Sequence, residues 1–228
     1  MLIIFDIDGT IVDAYDAIGR SLNYTLGKLG YKKASMPVIR RAVGHGDRNF
    51  VEHFVDRKDV EEGLRLYRAH HEKALLKYSK VIPGARHLLR GLKKKGYKLA
   101  IASNRPPNYS MILLKHLGLL KYFDAVECAK NKRQIKPKPF LIPRILKKLG
   151  VSKEDALYVG DMTVDVHAGH NAGVRVVAVL GGSSSHSELK EAGPCGITRK
   201  ISGLLRVAKT CRKKRSLSSK TIRTSQNS

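Results

Sequence analysis

Five short, predominantly apolar runs spaced along the chain constrain its fold more than any other feature. They are Leu2–Phe5, Lys98–Ala102, Ala125–Cys128, Ala156–Gly160 and Val174–Leu180. A half-exposed strand would alternate between apolar and polar residues, and these runs do not, so each reads as a strand buried on both faces. Between the later runs lie helical patterns that stop at glycine. Residues 84–96 carry Leu88, Leu89 and Leu92 on one face, then Lys93, Lys94 and Lys95 before Gly96. Residues 108–118 and 139–150 read the same way, with Pro143 weakening or shortening the second. Strands alternating with helices predict an α/β fold with a doubly wound parallel sheet. In such sheets ligands gather at the carboxyl ends of the strands.

The first two runs are about ninety residues apart, far more than one crossover helix needs. Residues 14–82 hold no convincing strand and read as helices near 14–29, 37–43, 48–55 and 60–78. Pro83-Gly84 marks the return to the sheet. The expected organisation is an α/β core of residues 1–13 and 83–205, an inserted helical domain of residues 14–82, and a basic extension of residues 206–228. The spacing of Ile201, Leu204, Leu205 and Ala208 predicts a terminal helix. Beyond it, residues 216–228 are rich in Ser, Thr, Lys and Arg and read as a disordered tail.

Composition narrows the class. The 228 residues are 42% hydrophobic and 28% charged, a globular balance. Cys128, Cys195 and Cys211 form no CxxC pair, which excludes a disulfide scaffold and favours a reduced, cytoplasmic setting. No apolar run approaches a membrane span. The apolar start is cut by Asp6 and Asp8 without a basic lead-in, so no signal peptide is expected. The net charge of +25 is unusual. Residues 206–228 supply eight basic residues and no acid, leaving +17 on the remainder. Such a field concentrates anions, whether phosphates, RNA or acidic lipid, and nonspecific polyanion binding through this surface and tail is expected.

The chemistry concentrates at strand ends. Asp6 and Asp8 follow the first strand at i and i+2, so both carboxylates face one side of an extended chain. Like charges that close call for a cation or a proton, and Mg²⁺ suits a hard oxygen site. Ser103-Asn104 follows the second strand with a hydroxyl and an amide. The segment 135–139 offers Lys136 and Lys138, both flanked by prolines. Asp161 and Asp165 follow the fourth strand, one helical turn apart.

These segments resemble, in order, the four motifs of the haloacid dehalogenase-like hydrolase superfamily, over about residues 2–200. The helical insertion resembles that family's C1-type cap, and the nearest branch is that of the phosphoglycolate phosphatases. The resemblance implies a Mg²⁺-dependent phosphatase acting on a small phosphorylated metabolite. It implies that Asp6 is the nucleophile forming an aspartyl-phosphate, and that Asp8 protonates the leaving oxygen and later takes a proton from water. Ser103 would hold a phosphoryl oxygen, and Lys136 would balance charge. Asp161, Asp6 and the Asp8 backbone carbonyl would bind Mg²⁺, with Asp165 ligating through water or holding Lys136. Thr10, Asn104 and Arg48 are the expected substrate contacts.

Alternatives remain open at this point. The family's Lys-Pro-x-Pro pattern favours Lys136, yet Lys138 is also available. His167, Gly169 and His170 stand where the family has an alanine-rich helix. With no cysteine nearby and no HExxH pattern, His167 and His170 read as helix-surface residues, and His70-His71 as an exposed pair on the insertion. The glycine-flanked stretch 44–48 resembles the cap loop facing the active site, which is why Arg48 is assigned a substrate carboxylate or second phosphate. A phosphomutase would keep the same motifs. A basic nucleic-acid-binding protein on the same scaffold is the alternative from another class, although only 6% of the residues are aromatic and none is tryptophan.

Overall fold

Residues 1–211 are described by the structure, a computed structural model; the tail expected at 216–228 lies outside the described residues. In chain order the elements are β1 (Leu2–Phe5), β2 (Val12–Asp13), α1 (Tyr15–Lys28), α2 (Met36–Ala42), α3 (Asp47–Glu52), α4 (Val60–Tyr78), β3 (Lys80–Val81), α5 (Ala85–Lys94) and β4 (Lys98–Ser103). They continue with α6 (Pro107–His116), β5 (Ala125–Cys128), α7 (Leu141–Leu149), β6 (Ala156–Gly160), α8 (Thr163–Asn171), β7 (Arg175–Val179), α9 (His186–Glu191) and β8 (Gly196–Thr198). Pro143 sits in the first turn of α7, where a missing N–H is tolerated.

Six strands form one parallel sheet in the order β5-β4-β1-β6-β7-β8. The apolar runs explain its burial. Ile3, Phe5, Leu99, Ile101, Leu157 and Val159 join the core on one face. Leu2, Ile4, Ala100, Ala102, Ala156 and Tyr158 join that on the other. Because β1 pairs with both β4 and β6, with Phe5 opposite Ile101 and Val159, the ends of these three strands lie side by side. The chain runs from β1 to β4 on one side and returns from β5 to β6 on the other, which makes these ends the position where open α/β sheets bind ligands.

The insertion is entered and left through β2 and β3, which pair antiparallel. Strands of two residues carry no readable period, so the sequence shows no strand there. Helix α1 packs along α4. The insertion also contacts the core: Arg41 forms a two-bond pair with Glu188 at 2.8 Å, and Tyr109 Oη donates to Arg68 O at 3.2 Å.

The expectation of reduced cysteines, drawn with the exclusion of a disulfide scaffold, is corrected by a single disulfide. Cys195 and Cys211 form it, with Cα atoms 5.4 Å apart and a sequence separation of 16. Residues 204–211 are helical and fold back beside β8, a closeness that cysteine spacing alone does not reveal. Cys128 is a buried free thiol. No helix among the described residues is long and apolar enough to cross a membrane.

Candidate active site

The end of β1 delivers Asp6 into a buried position, where its amide donates to Val159 O at 2.9 Å. Lys136 arrives from the loop before α7, also buried. Its Nζ donates to Asp6 Oδ1 at 2.8 Å, to Asp165 Oδ1 at 2.6 Å and to Tyr158 Oη at 2.8 Å. Tyr158 Oη in turn donates to Asp165 Oδ1 at 2.8 Å. Asp165 Oδ2 accepts the Met162 N–H at 3.1 Å, so this acid both caps α8 and holds the lysine. Lys138 is exposed and its Nζ donates to Lys132 O, so the geometry selects Lys136.

Asp161 is fully buried. It accepts bonds from Thr10 Oγ1 at 2.9 Å, Ser183 N at 3.0 Å and Tyr15 Oη at 3.3 Å. Side-chain carboxylate atoms of Asp6, Asp161 and Asp165 all lie within 4.8 Å of one another. One lysine does not balance three buried acids. Burial first, and then neighbouring acids, push Asp6 up to about 6 against the opposing charge of Lys136. Burial and the charges of Asp165 and Asp6 likewise push Asp161 well above the usual carboxylate range. A divalent cation would relieve that excess. The fit extends to the walls: a Cβ at Gly182 or Gly9 would overlap the Asp161 carboxylate.

Asp8 is held differently. Arg105 Nη2 donates to its Oδ1 at 2.7 Å and Arg105 Nε to its Oδ2 at 2.9 Å, a two-bond fork. Arg105 Nη1 lies 2.9 Å from His71 Nε2. A guanidinium only donates, so His71 is the neutral tautomer with its proton on Nδ1, 3.1 Å from Ser21 Oγ. Ser21 Oγ donates onward to Ala17 O at 2.8 Å. Burial, then the Arg105 and His70 charges, hold His71 well below its ordinary range, in keeping with that tautomer.

A cavity of about 70 Å³ lies between the insertion and the strand ends. Asp6, Asp8, Ser103, Asn104, Arg105 and Lys136 line it from the core, and Gly44, Gly46, Phe50, Tyr67 and His71 from the insertion. Asn104 is committed to backbone: Nδ2 donates to Gly44 O at 2.7 Å and Oδ1 accepts Lys136 N–H at 2.7 Å. Thr10 supports Asp161 and is absent from the cavity wall.

Two expectations are corrected. Arg48 lies outside the cavity, paired with Glu52 and Glu61 on the surface of the insertion, because α3 starts at Asp47 and turns the arginine outward. His71 is 2% exposed rather than a surface residue. It continues the buried stripe Val60, Leu64 and Tyr67 of α4, a helical spacing that marks it as inward-facing. Arg105, Tyr15 and Tyr158 also escaped sequence reasoning. Arg105 alone had a signal, standing two residues beyond Ser103 at the end of the second run.

The profile of the haloacid dehalogenase-like hydrolases matches residues 3–179. A phosphoglycolate phosphatase of Aquifex aeolicus is 34% identical over 181 residues, covering 79% of this chain and 85% of its own. One from Pseudomonas savastanoi pv. phaseolicola is 32% identical over 203 residues, covering 85% and 74%. The crystal structure of a predicted phosphoglycolate phosphatase from Haemophilus somnus superposes with a TM-score of 0.84 at 24% identity, over 91% of this chain and 97% of that one, a likeness of fold. The chain belongs to the haloacid dehalogenase-like hydrolases, in their phosphoglycolate phosphatase-like branch. It is a phosphatase of that family.

Proposed function

We propose that this phosphatase hydrolyses a small phosphorylated metabolite, a phosphoglycolate-like monoester, through an aspartyl-phosphate on Asp6 with Mg²⁺ as cofactor. The observation that carries the reading is that one cavity wall presents Asp6, held by Lys136, beside Asp8 and Ser103. An Asp6 oxygen attacks phosphorus while the bond to the leaving oxygen breaks, and that oxygen takes the proton of Asp8. Water then attacks the aspartyl-phosphate. Its proton goes to Asp8, inorganic phosphate departs and the Asp6 carboxylate is restored. Ser103 and Lys136 hold phosphoryl oxygens, the positioning and charge that phosphoryl transfer demands.

Asp6, Asp161 and the Asp8 backbone carbonyl would hold Mg²⁺, which would neutralise charge developing on the phosphoryl group. The insertion acts as a cap that excludes water and bulky esters. The test is phosphate release from a panel of phosphorylated metabolites by purified protein with Mg²⁺. The expected result is turnover of small monoesters, phosphoglycolate among them, that ceases with EDTA. Release from none of them contradicts the reading.

A further inference from the structure

We propose that Arg105 recognises a carboxylate on the substrate and, by exchanging Asp8 for it, releases Asp8 to act, while His71 keeps Arg105 in place. The inference rests on the phosphatase reading above.

Two arginine or lysine side chains line the cavity, Lys136 and Arg105. Lys136 pairs with Asp6 and Asp165 and is assigned to the phosphoryl oxygens. Arg105 is therefore the cation left to meet a second negative group on a phosphoester. Its fork already grips a carboxylate, with Nε and Nη2 on the two oxygens of Asp8. That is the planar geometry in which arginine reads a carboxylate and lysine does not.

The same grip restrains the proposed acid. Both oxygens of Asp8 accept N–H bonds from the fork, so neither is free to meet a leaving oxygen. A substrate carboxylate entering the fork would free Asp8 without leaving the buried guanidinium unpaired, a state that is strongly unfavourable. A neutral ester offers no such exchange.

Arg105 does not follow either partner, because Nη1 is tied to His71 on the insertion. The His71 ring stacks on Tyr67, with centroids 4.7 Å apart, and meets Tyr109 edge-on at 5.4 Å. Its other nitrogen is anchored through Ser21 to Ala17 O. The insertion thus sets the position of the core's specificity residue, and His71 is a positioning residue.

The experiment compares phosphoglycolate with ethyl phosphate, which lacks the carboxylate, using wild type, Arg105→Met, Arg105→Lys, His71→Leu and His71→Gln. Loss of a charge-assisted fork should lower the ratio of kcat/KM for phosphoglycolate to that for ethyl phosphate by about 10- to 100-fold in Arg105→Met. Arg105→Lys keeps the charge without the fork and should show a smaller drop in the same ratio. It serves as the primary variant if Arg105→Met does not fold. His71→Leu should raise KM for phosphoglycolate more than it lowers kcat, and His71→Gln, whose carbonyl can accept from Arg105, should recover most of that loss. Calorimetry on Asp6→Asn protein should show weaker phosphoglycolate binding when Arg105→Lys is added. Equal losses on the two esters, or unchanged binding in the calorimeter, overturn the proposal. Wild-type protein that releases no phosphate from either ester overturns the phosphatase reading, and this inference with it.

Discussion

Asp6 and Asp8 leave the same strand two residues apart, and their surroundings separate them completely. Asp6 meets an ammonium shared with a second acid, and Asp8 meets a guanidinium anchored on the insertion. Lys136 is the most connected of these side chains, and replacing it leaves three buried acids with no cation among them. Lys136→Met should lower kcat by about 10²–10³, the usual loss when one stabilising contact to a developing charge is removed. Lys138→Met should stay within about threefold of wild type, as expected for an exposed side chain outside the site. Steady-state rates on a small monoester check this, and a Lys138→Met loss equal to that of Lys136→Met would contradict the assignment. The acids and the lysine were readable from the sequence because their spacing follows strand ends. The pairing of Arg105 with His71 was not, because it spans 34 residues and two elements, a proximity created by folding. The reading of Arg48 failed for a related reason: a glycine-flanked loop fixes which backbone faces the site and not which side chain does.

At the scale of elements, the long periodic segments matched their sequence signals. Helix α4 occupies the residues its apolar stripe predicts, and all five apolar runs became strands within one residue of their expected ends. Strand β8 has three residues and its pairing with β7 depends on the return of the chain after α9, so nothing local announces it. The loop between α2 and α3 shows how elements are joined at the site. Gly44 has a φ of +114°, and a Cβ there would run into Met162 Sδ, so glycine lets the insertion lie directly against the start of α8. Asn104 fastens that loop to the core through Gly44 O and holds the Lys136 backbone from its other end. Asn104→Ala should therefore lower stability by about 1–3 kcal/mol, because it leaves buried backbone groups without partners. For a chain of this size that corresponds to a fall of several degrees in Tm. A melting curve identical to wild type would show that the amide is not what holds the loop.

Across the whole molecule, a parallel sheet places three strand ends together and thereby concentrates acids that repel one another. Asp6 is raised to about 6 by burial, so between its unfolded value near 3.8 and that point the native chain binds more protons than the unfolded one. Without metal, stability should therefore fall as pH rises from about 4 to 6, by about 3 kcal/mol from this residue. A divalent cation would bind the ionised acids, so the effect of Mg²⁺ on Tm should be larger at pH 8 than at pH 5. Thermal melts with and without Mg²⁺ at both pH values test this, and equal shifts at both would contradict it. The proposed hydrolysis depends on Asp6 carrying the phosphoryl group and Asp8 moving the protons. The most direct measurement is intact mass after rapid quenching of Asp6→Asn and Asp8→Asn protein mixed with an aryl phosphate and Mg²⁺. An aryl leaving group needs little protonation, so Asp8→Asn should form the aspartyl-phosphate and hydrolyse it slowly, gaining the mass of one phosphoryl group, while Asp6→Asn gains none. Phosphoenzyme in Asp6→Asn, or full steady-state turnover in Asp8→Asn, would contradict the assignment.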